Sequence, residues 1–250
     1  MYSSTYRSVL LEDRAKRAIR GSRKVTLPKA IDVMEMAGST DLRAHAVLPL
    51  ALKIIGRPRD AELRAAVGAL RAWQRPGGLR RDANRDGVYE HSDAIRILDA
   101  WWPRWVRAEF EPVLGKAAYD QLLATVDDDN EPNNHGEHLG SAYQDGWYGY
   151  ARKDLQTVLG RNVRGPYSRE YCGKGSLKRC RAALRSSLKA ALAVPAAQIY
   201  GGDPECPNSD QWCFDAVKFR AVGGATQPLI HWINRPTFQQ VNEIQSRMPR

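Results

Sequence analysis

The spacing of apolar residues predicts α-helices over most of residues 1–194. Leucine, isoleucine, valine and tryptophan recur three or four positions apart, which places them on one face of a helix. Serine, threonine or aspartate precedes most of these segments, as expected of residues that cap helices. The predicted helices span residues 3–19, 26–38, 41–55, 60–73, 94–106 and 176–194, and Pro49 is a candidate kink within 41–55.

Three tryptophans form a stripe on the predicted helix at 94–106. Trp101, Trp102 and Trp105 share helical spacing and favour a buried helix face, although an aromatic stripe also suits a binding platform. Pro103 removes a backbone donor within this segment. We therefore expect the helix to kink or stop there.

The pattern changes after Pro195. Short apolar runs at 219–222, 229–233 and 238–244 are separated by glycine and proline, which is typical of short strands. The sequence thus predicts an α+β fold in two regions. Residues 1–194 would form a mainly helical region that contains a loop at 82–93, and residues 195–250 a strand-rich C-terminal segment.

Composition narrows the class of protein. The 250 residues are 43% apolar and 26% charged, which is typical of a globular chain and excludes disorder over its length. No apolar run is long enough for a membrane span. The first residues lack the basic and apolar regions of a signal peptide.

Charge raises the question of a polyanionic partner. The net charge is +10 and the pI is near 9.6, and residues 161–189 hold nine basic residues against one acidic. The basic face at Lys178–Lys189 lacks interleaved aromatic residues, so a solvated face is the better interpretation than a nucleic-acid site. We expect no nucleic-acid partner.

Four cysteines lie in two close pairs, Cys172 with Cys180 and Cys206 with Cys213. Four cysteines allow three connectivities, and local pairing is favoured because each pair closes a short loop rich in turn-forming residues. Free thiols and a four-thiolate zinc site are the alternatives. Two disulfides would indicate an oxidising compartment.

Residues 82–93 match the twelve-residue calcium loop. Oxygen-bearing side chains stand at positions one, three, five, nine and twelve, glycine at position six and a backbone carbonyl at seven. The candidate ligands are Asp82, Asn84, Asp86, Val88, Glu90 and Asp93. Asp93 replaces the usual glutamate, and Tyr89 stands where an aliphatic residue is usual. An Asx-rich turn without metal is the alternative.

Other chemical candidates are weak. His135 and His138 flank Glu137 in a segment that favours a loop, and His231 lies in an apolar run typical of a core histidine. No nucleophile elbow, phosphate-binding loop or dinucleotide fingerprint occurs. The residues alone identify no catalytic centre.

Several stretches together resemble one enzyme family. They cover residues 81–91, 136–143, 146–150 and 222–240. They look like the C-terminal half of the β chain of actinobacterial penicillin acylase family proteins, which are N-terminal-nucleophile hydrolases. The resemblance covers essentially the whole chain but identifies no substrate.

The resemblance implies a secreted precursor that cleaves itself into α and β chains. The new N-terminal serine of the β chain would attack an amide carbonyl, with its own α-amino group as base. A backbone N–H and an asparagine side chain would form the oxyanion hole. The implied fold is an αββα sandwich with a helical insertion, in which the C-terminal strands complete a sheet.

The front of the chain departs from the family pattern. It begins at Met1, lacks the β-chain half with the nucleophilic serine, and has no asparagine among its first six residues. Tyr6-Arg7 resembles the position of an arginine that supports the oxyanion asparagine, so Arg7 is the one candidate support residue. The family's usual calcium ligands precede this region, so the 82–93 loop would be a separate Ca²⁺ site.

We therefore expect the C-terminal portion of a secreted penicillin-acylase-type amidohydrolase, acting on β-lactam or acyl-homoserine lactone amides. Its missing partners would be the α chain and the N-terminal half of the β chain, and without them it would be inactive. The alternative is a non-catalytic module stapled by disulfides and stabilised by calcium. Polyanion binding is the third and weakest hypothesis.

Overall fold

Helices are the main secondary structure of the described residues. The computed structural model describes residues 6–21, 25–125, 147–201, 206, 211–217, 223–225 and 230–231. The α-helices in these ranges are α1 Tyr6–Ile19, α2 Leu27–Ser39, α3 Leu42–Ala46, α4 Leu48–Ile55, α5 Ala61–Gln74, α6 Ser92–Leu114, α7 Lys116–Leu123, α8 Tyr148–Val158, α9 Leu177–Leu192, α10 Ala196–Tyr200 and α11 Gln211–Phe214. A 3-10 turn spans Cys172–Gly175.

Short polar side chains fix where three helices begin. The Asp41 carboxylate accepts hydrogen bonds from the Arg43 and Ala44 N–H groups at the start of α3. Asp60 accepts from the Leu63 N–H at 3.0 Å to start α5, and Ser176 caps α9. Each side chain satisfies an N–H that has no partner within its own helix. These starts agree with the sequence predictions.

Two helical boundaries differ from the predictions. The helix predicted at 41–55, with Pro49 as a candidate kink, is divided two residues earlier, at Val47, into α3 and α4. Conversely, α6 continues through Pro103 to Leu114, although an interior proline costs a helix about 3 kcal/mol. Burial on several sides of α6 offsets that cost.

α6 is the central helix of the core. The side chains of Trp101, Trp102 and Trp105 are fully buried, and α6 packs against α5 and α9. The Trp101 indole N–H donates to the Ser187 hydroxyl of α9 at 2.9 Å. The tryptophan stripe is therefore a packing face, as the helical spacing favoured, and not an exposed platform.

The predicted α+β class is wrong. Across the described residues the protein is all-α apart from one antiparallel pair of two-residue strands, β1 Ala216–Val217 and β2 Ile230–His231, and an isolated bridge between Thr40 and Leu79. β2 lies within the predicted strand at 229–233, whereas 219–222 and 238–244 lie outside the described residues. A short apolar run bounded by glycine and proline does not by itself specify a strand, and no αββα sandwich forms from the described part.

The basic face of α9 is used within the chain. The Arg181 and Arg185 guanidinium groups donate to the Ile54 and Ile55 carbonyls at 2.7 and 3.1 Å. From α5, Arg71 donates to the Gly56 carbonyl at 2.9 Å. These carbonyls end α4, where a helix leaves acceptors unsatisfied and favours positive charge. This part of the basic cluster is therefore structural and not merely solvated.

Both local cysteine pairs are disulfides, Cys172–Cys180 and Cys206–Cys213, and no free cysteine remains. The first joins the 3-10 turn to α9. Asp154 of α8 secures the same turn, because its two oxygens accept from the Tyr171 and Cys172 N–H groups at 2.9 and 2.8 Å. No helix among the described residues is long and apolar enough to cross a membrane.

A carboxylic acid is buried in the core of α6. Glu109 is fully buried, and its Oε2 accepts from the Trp105 indole N–H at 2.6 Å. Within the described part its Oε1 has no hydrogen-bond partner. Burial, and then the negative charge of Asp154, raise the pKa of Glu109 well above its usual value. Both effects favour the neutral form of Glu109 in the folded protein.

We predict that Glu109→Gln stabilises the protein at neutral pH. In the unfolded chain Glu109 ionises above about pH 4.3, so the wild type loses stability as the pH rises from there towards the raised folded-state pKa. Glutamine is neutral at every pH and removes this loss. Urea unfolding from pH 4 to 8 should show a gap between variant and wild type that widens with pH. A constant gap would contradict the prediction.

Candidate functional site

The residues around the 82–93 loop are organised by a fully buried arginine. Arg80 is 0% exposed. Its Nε contacts Asp41 Oδ2 at 3.2 Å, its Nη1 contacts Asp215 Oδ2 at 2.8 Å, and its Nη2 pairs with Asp99. Asp41 caps α3, Asp99 lies within α6, and Asp215 follows α11. One side chain thus joins three distant parts of the chain.

A second buried arginine completes the ion network. The Arg43 Nη2 atom lies 2.7 Å from Asp41 Oδ2, and the same nitrogen also pairs with Asp99. Burial alone would raise the pKa of Asp41, but the charges of Arg43 and Arg80 hold it below its usual value. Arg43, Arg80, Asp41 and Asp99 balance in charge. Asp215 adds a third carboxylate.

Two buried tyrosines supply further donors. The Tyr89 hydroxyl donates to Asp215 Oδ2 at 2.6 Å, and the Tyr200 hydroxyl donates to Asp99 Oδ2 at 2.7 Å. Burial and the neighbouring carboxylate raise the pKa of each hydroxyl well above its usual value. Both tyrosines therefore remain protonated. Asp215 Oδ1 has no hydrogen-bond partner within the described part.

The 82–93 loop is anchored at both ends by this network. Arg80 stands two residues before the loop, and Tyr89 reaches from within it to Asp215. The loop then leads into α6, which carries Asp99. This explains the tyrosine at position eight, because its hydroxyl serves the buried network. The sequence showed this residue only as a departure from the calcium pattern.

Within the loop, the early carboxylates face backbone donors. Asp82 accepts from the Asp86 and Gly87 N–H groups at 3.1 and 2.8 Å. Asp86 accepts from the Val88 N–H at 2.9 Å and from the Asn84 amide at 2.9 Å. Gly87 has a φ of 84°, a left-handed conformation that favours glycine. The turn thus has the conformation that position six was expected to need.

The later candidate ligands, Val88, Glu90 and Asp93, have different surroundings. Val88 is 53% exposed, Glu90 accepts from the Ala83 N–H, and Asp93 lies in the first turn of α6. Among the described residues no group of three or more histidine, cysteine, aspartate or glutamate side chains is gathered as a metal site. The turn fits a cation loop, but its side chains would have to move inward to surround an ion.

The second disulfide segment packs against the loop and α6. The Gln211 side-chain amide donates to the Ser92 carbonyl at 2.7 Å. Trp212 lines a cavity of about 580 Å³ together with Asp82, Asp86 and Gly87. Asp215 of the buried network is the first residue after this helix, α11. Spacing along the chain does not reveal this contact, because the residues lie far apart in sequence.

The other predicted residues fall elsewhere. Arg7 lies in the first turn of α1, where its backbone but not its side chain is described. His231 lies in β2. His135, Glu137 and His138 lie outside the described residues.

Taken together, the fold and site define a disulfide-bonded helical domain built on a buried arginine–aspartate network. A family model described as penicillin amidase matches residues 1–239. The chain therefore belongs to the penicillin amidase family, which confirms the resemblance seen in the sequence. A search of curated proteins found no match.

We predict that Tyr89→Phe destabilises the fold by about 1–3 kcal/mol, because it leaves a buried carboxylate short of a donor. Tyr150→Phe is the control: Tyr150 is 46% exposed, and surface substitutions stay within about 0.5 kcal/mol. Chemical denaturation at pH 7 measures both. Equal effects would show that the Tyr89 hydroxyl contributes nothing particular.

Proposed function

We propose that this chain is the C-terminal portion of a secreted enzyme that hydrolyses acyl–amide bonds, of the β-lactam or acyl-homoserine lactone class. The observation that carries the proposal is the family match over residues 1–239. The two disulfides support secretion, since such bonds persist in oxidising compartments. Enzymes of this family are processed heterodimers, so other segments would complete the active site.

The reaction divides the work between this chain and those segments. An N-terminal serine supplied by the other part attacks the amide carbonyl through its hydroxyl oxygen, and its α-amino group takes the proton. The C–N bond breaks as the amine leaves with that proton, and water then hydrolyses the acyl ester. Oxyanion donors stabilise both tetrahedral intermediates. In this scheme Arg7 orients the oxyanion asparagine and does not touch the substrate.

The described residues support a scaffold role. The buried arginines and aspartates pair with one another inside the core, where their side chains are 0% exposed. The His45 Nε2 atom lies 4.0 Å from Asp13 Oδ2, which is longer than a hydrogen bond. This chain would therefore hold the fold while the nucleophile comes from elsewhere.

A non-catalytic binding or structural module is the second candidate. The observation in its favour is structural: two disulfides and a buried ion network would stabilise a domain that performs no chemistry. The two candidates differ in whether completing the family architecture produces amide hydrolysis.

A complementation assay distinguishes them. We expect the 250 residues alone to be inactive. They should release no amine from chromogenic aryl-acyl or alkyl-acyl anilides, and they should not cleave the amide bond of an acyl-homoserine lactone. Co-expression with a serine-led segment from the same gene region is expected to produce turnover. Serine-to-alanine substitution at the start of that segment is the matched control. Turnover by the 250 residues alone would overturn the scaffold role, and failure of the complemented enzyme would favour the non-catalytic module.

We infer in addition that the 82–93 loop binds Ca²⁺. What supports this is the turn: Asp82 and Asp86 approach the same stretch of backbone, and Gly87 has the left-handed conformation such loops use. Asn84 and the Val88 carbonyl would complete the early ligands. Glu90 and Asp93 would close the shell when the ion draws them inward. The ion would fix the loop and perform no chemistry.

Calcium should raise the melting temperature, because a ligand that binds only the folded state stabilises it by about 2.7 kcal/mol at one hundred times its Kd. Asp86→Ala is expected to abolish the increase. Asp32→Ala is the control, since Asp32 is an exposed acid on α2. Thermal melts in excess calcium and in chelator provide the measurement. Equal melting temperatures of the wild type in excess calcium and in chelator would show that the loop binds no calcium.

A further inference from the structure

A cavity of about 370 Å³ lies between α1, α3 and α8. Its apolar side is formed by the buried residues Leu10, Leu42 and Tyr148. Its polar side carries Asp13, His45, Arg152 and Lys153. A pocket with one apolar and one charged side suits a ligand of the same two-sided character.

Arg152 is the cation that the polar side offers to a ligand. The Lys153 ammonium lies 4.5 Å from the centroid of the Tyr167 ring, which does not line the cavity, and Asp13 lies 4.0 Å from His45. Arg152 is exposed and makes no ion pair with any residue that the structure describes. A ligand that pairs with Arg152 would therefore carry a negative charge.

The pKa of His45 reflects the positive charges around the cavity. Burial lowers the pKa of His45, and the charges of Arg14, Arg17 and Arg152 lower it further, while Asp13 acts in the opposite sense. Three arginines thus place His45 in a positive potential. An anion in the cavity would offset that potential and make protonation of the imidazole easier.

We propose that this cavity binds a small organic carboxylate with an apolar body. The carboxylate pairs with Arg152 beside His45, and the body lies against Leu10 and Leu42. A bare anion would leave the apolar side unused, and a neutral apolar molecule would leave Arg152 without an ion pair. This proposal is independent of the proposed amidase function. The cavity is formed by α1, α3 and α8 of this chain and needs no residue of another segment.

Hexanoate is the probe, and the His45 imidazole resonance of the full 250-residue chain is the reporter. Titration should shift this resonance, and saturating hexanoate should raise the pKa of His45. Affinity is expected to increase as the pH falls through that pKa, because protonated His45 adds a cation. Each methylene that enters the cavity should tighten binding about fourfold from acetate to hexanoate.

Two variants with a matched control localise the site. Arg152→Gln should weaken hexanoate binding about two- to fivefold, as expected for one partly exposed ion pair. Arg164→Gln removes an exposed charge elsewhere and should have no effect. Ala46→Leu fills the cavity wall and should abolish binding.

Several results would overturn the proposal. If hexan-1-ol binds as tightly as hexanoate, the carboxylate does not contribute and there is no anion site. If acetate binds as tightly as hexanoate, the apolar body does not contribute and there is no apolar site. Equal effects of Arg152→Gln and Arg164→Gln, or binding that survives Ala46→Leu, would place the ligand elsewhere. No shift of the His45 resonance at saturating hexanoate would exclude the cavity altogether.

Discussion

A single guanidinium, that of Arg80, joins three parts of the chain that lie far apart in sequence. It contacts Asp41 at the start of α3, Asp99 in α6, and Asp215, which is 135 positions away. Because arginine presents its donors in a rigid planar fork, it can hold several carboxylates at fixed angles. The positions of the 82–93 loop and of the segment after α11 both follow from these contacts.

Such a network specifies the fold more than it strengthens it. Removing charges from water is costly, and buried ion pairs often do no better than apolar residues of similar size. Removing one partner of a buried ion pair, however, lowers the free energy of unfolding by about 3–5 kcal/mol. This is a large part of a typical protein stability of about 5–15 kcal/mol. Arrangements that separate Arg80 from its aspartates are therefore strongly disfavoured. Asp215, as the third carboxylate, depends on Arg80 and on the Tyr89 hydroxyl.

The features that sequence predicted well are local. Asp41, Asp60 and Ser176 act within three residues of their own helices, and the cysteine pairs are seven and eight positions apart. The tryptophan stripe of α6 follows helical periodicity. In each case the partner lies close enough in the chain for spacing to reveal it.

The features that sequence missed depend on distant contacts. Nothing in the spacing relates Arg80 to Asp215, or Tyr89 to the same carboxylate. The arginines of α9 resembled a solvated face because the carbonyls that they bind belong to α4. The α+β class was wrong for the complementary reason: it rested on apolar runs near the C-terminus, and spacing alone does not show which partners such runs meet.

A double-mutant cycle between Arg80 and Asp215 tests the central role of this arginine most directly. Arg80→Met, Asp215→Asn and the combined variant would be compared with the wild type by urea unfolding at pH 7. We expect a coupling free energy of about 1–3 kcal/mol, because Asp215→Asn removes an unpaired buried charge once Arg80 is gone. Effects that add to within about 0.5 kcal/mol would show that Arg80 does not hold the C-terminal segment to the helical core.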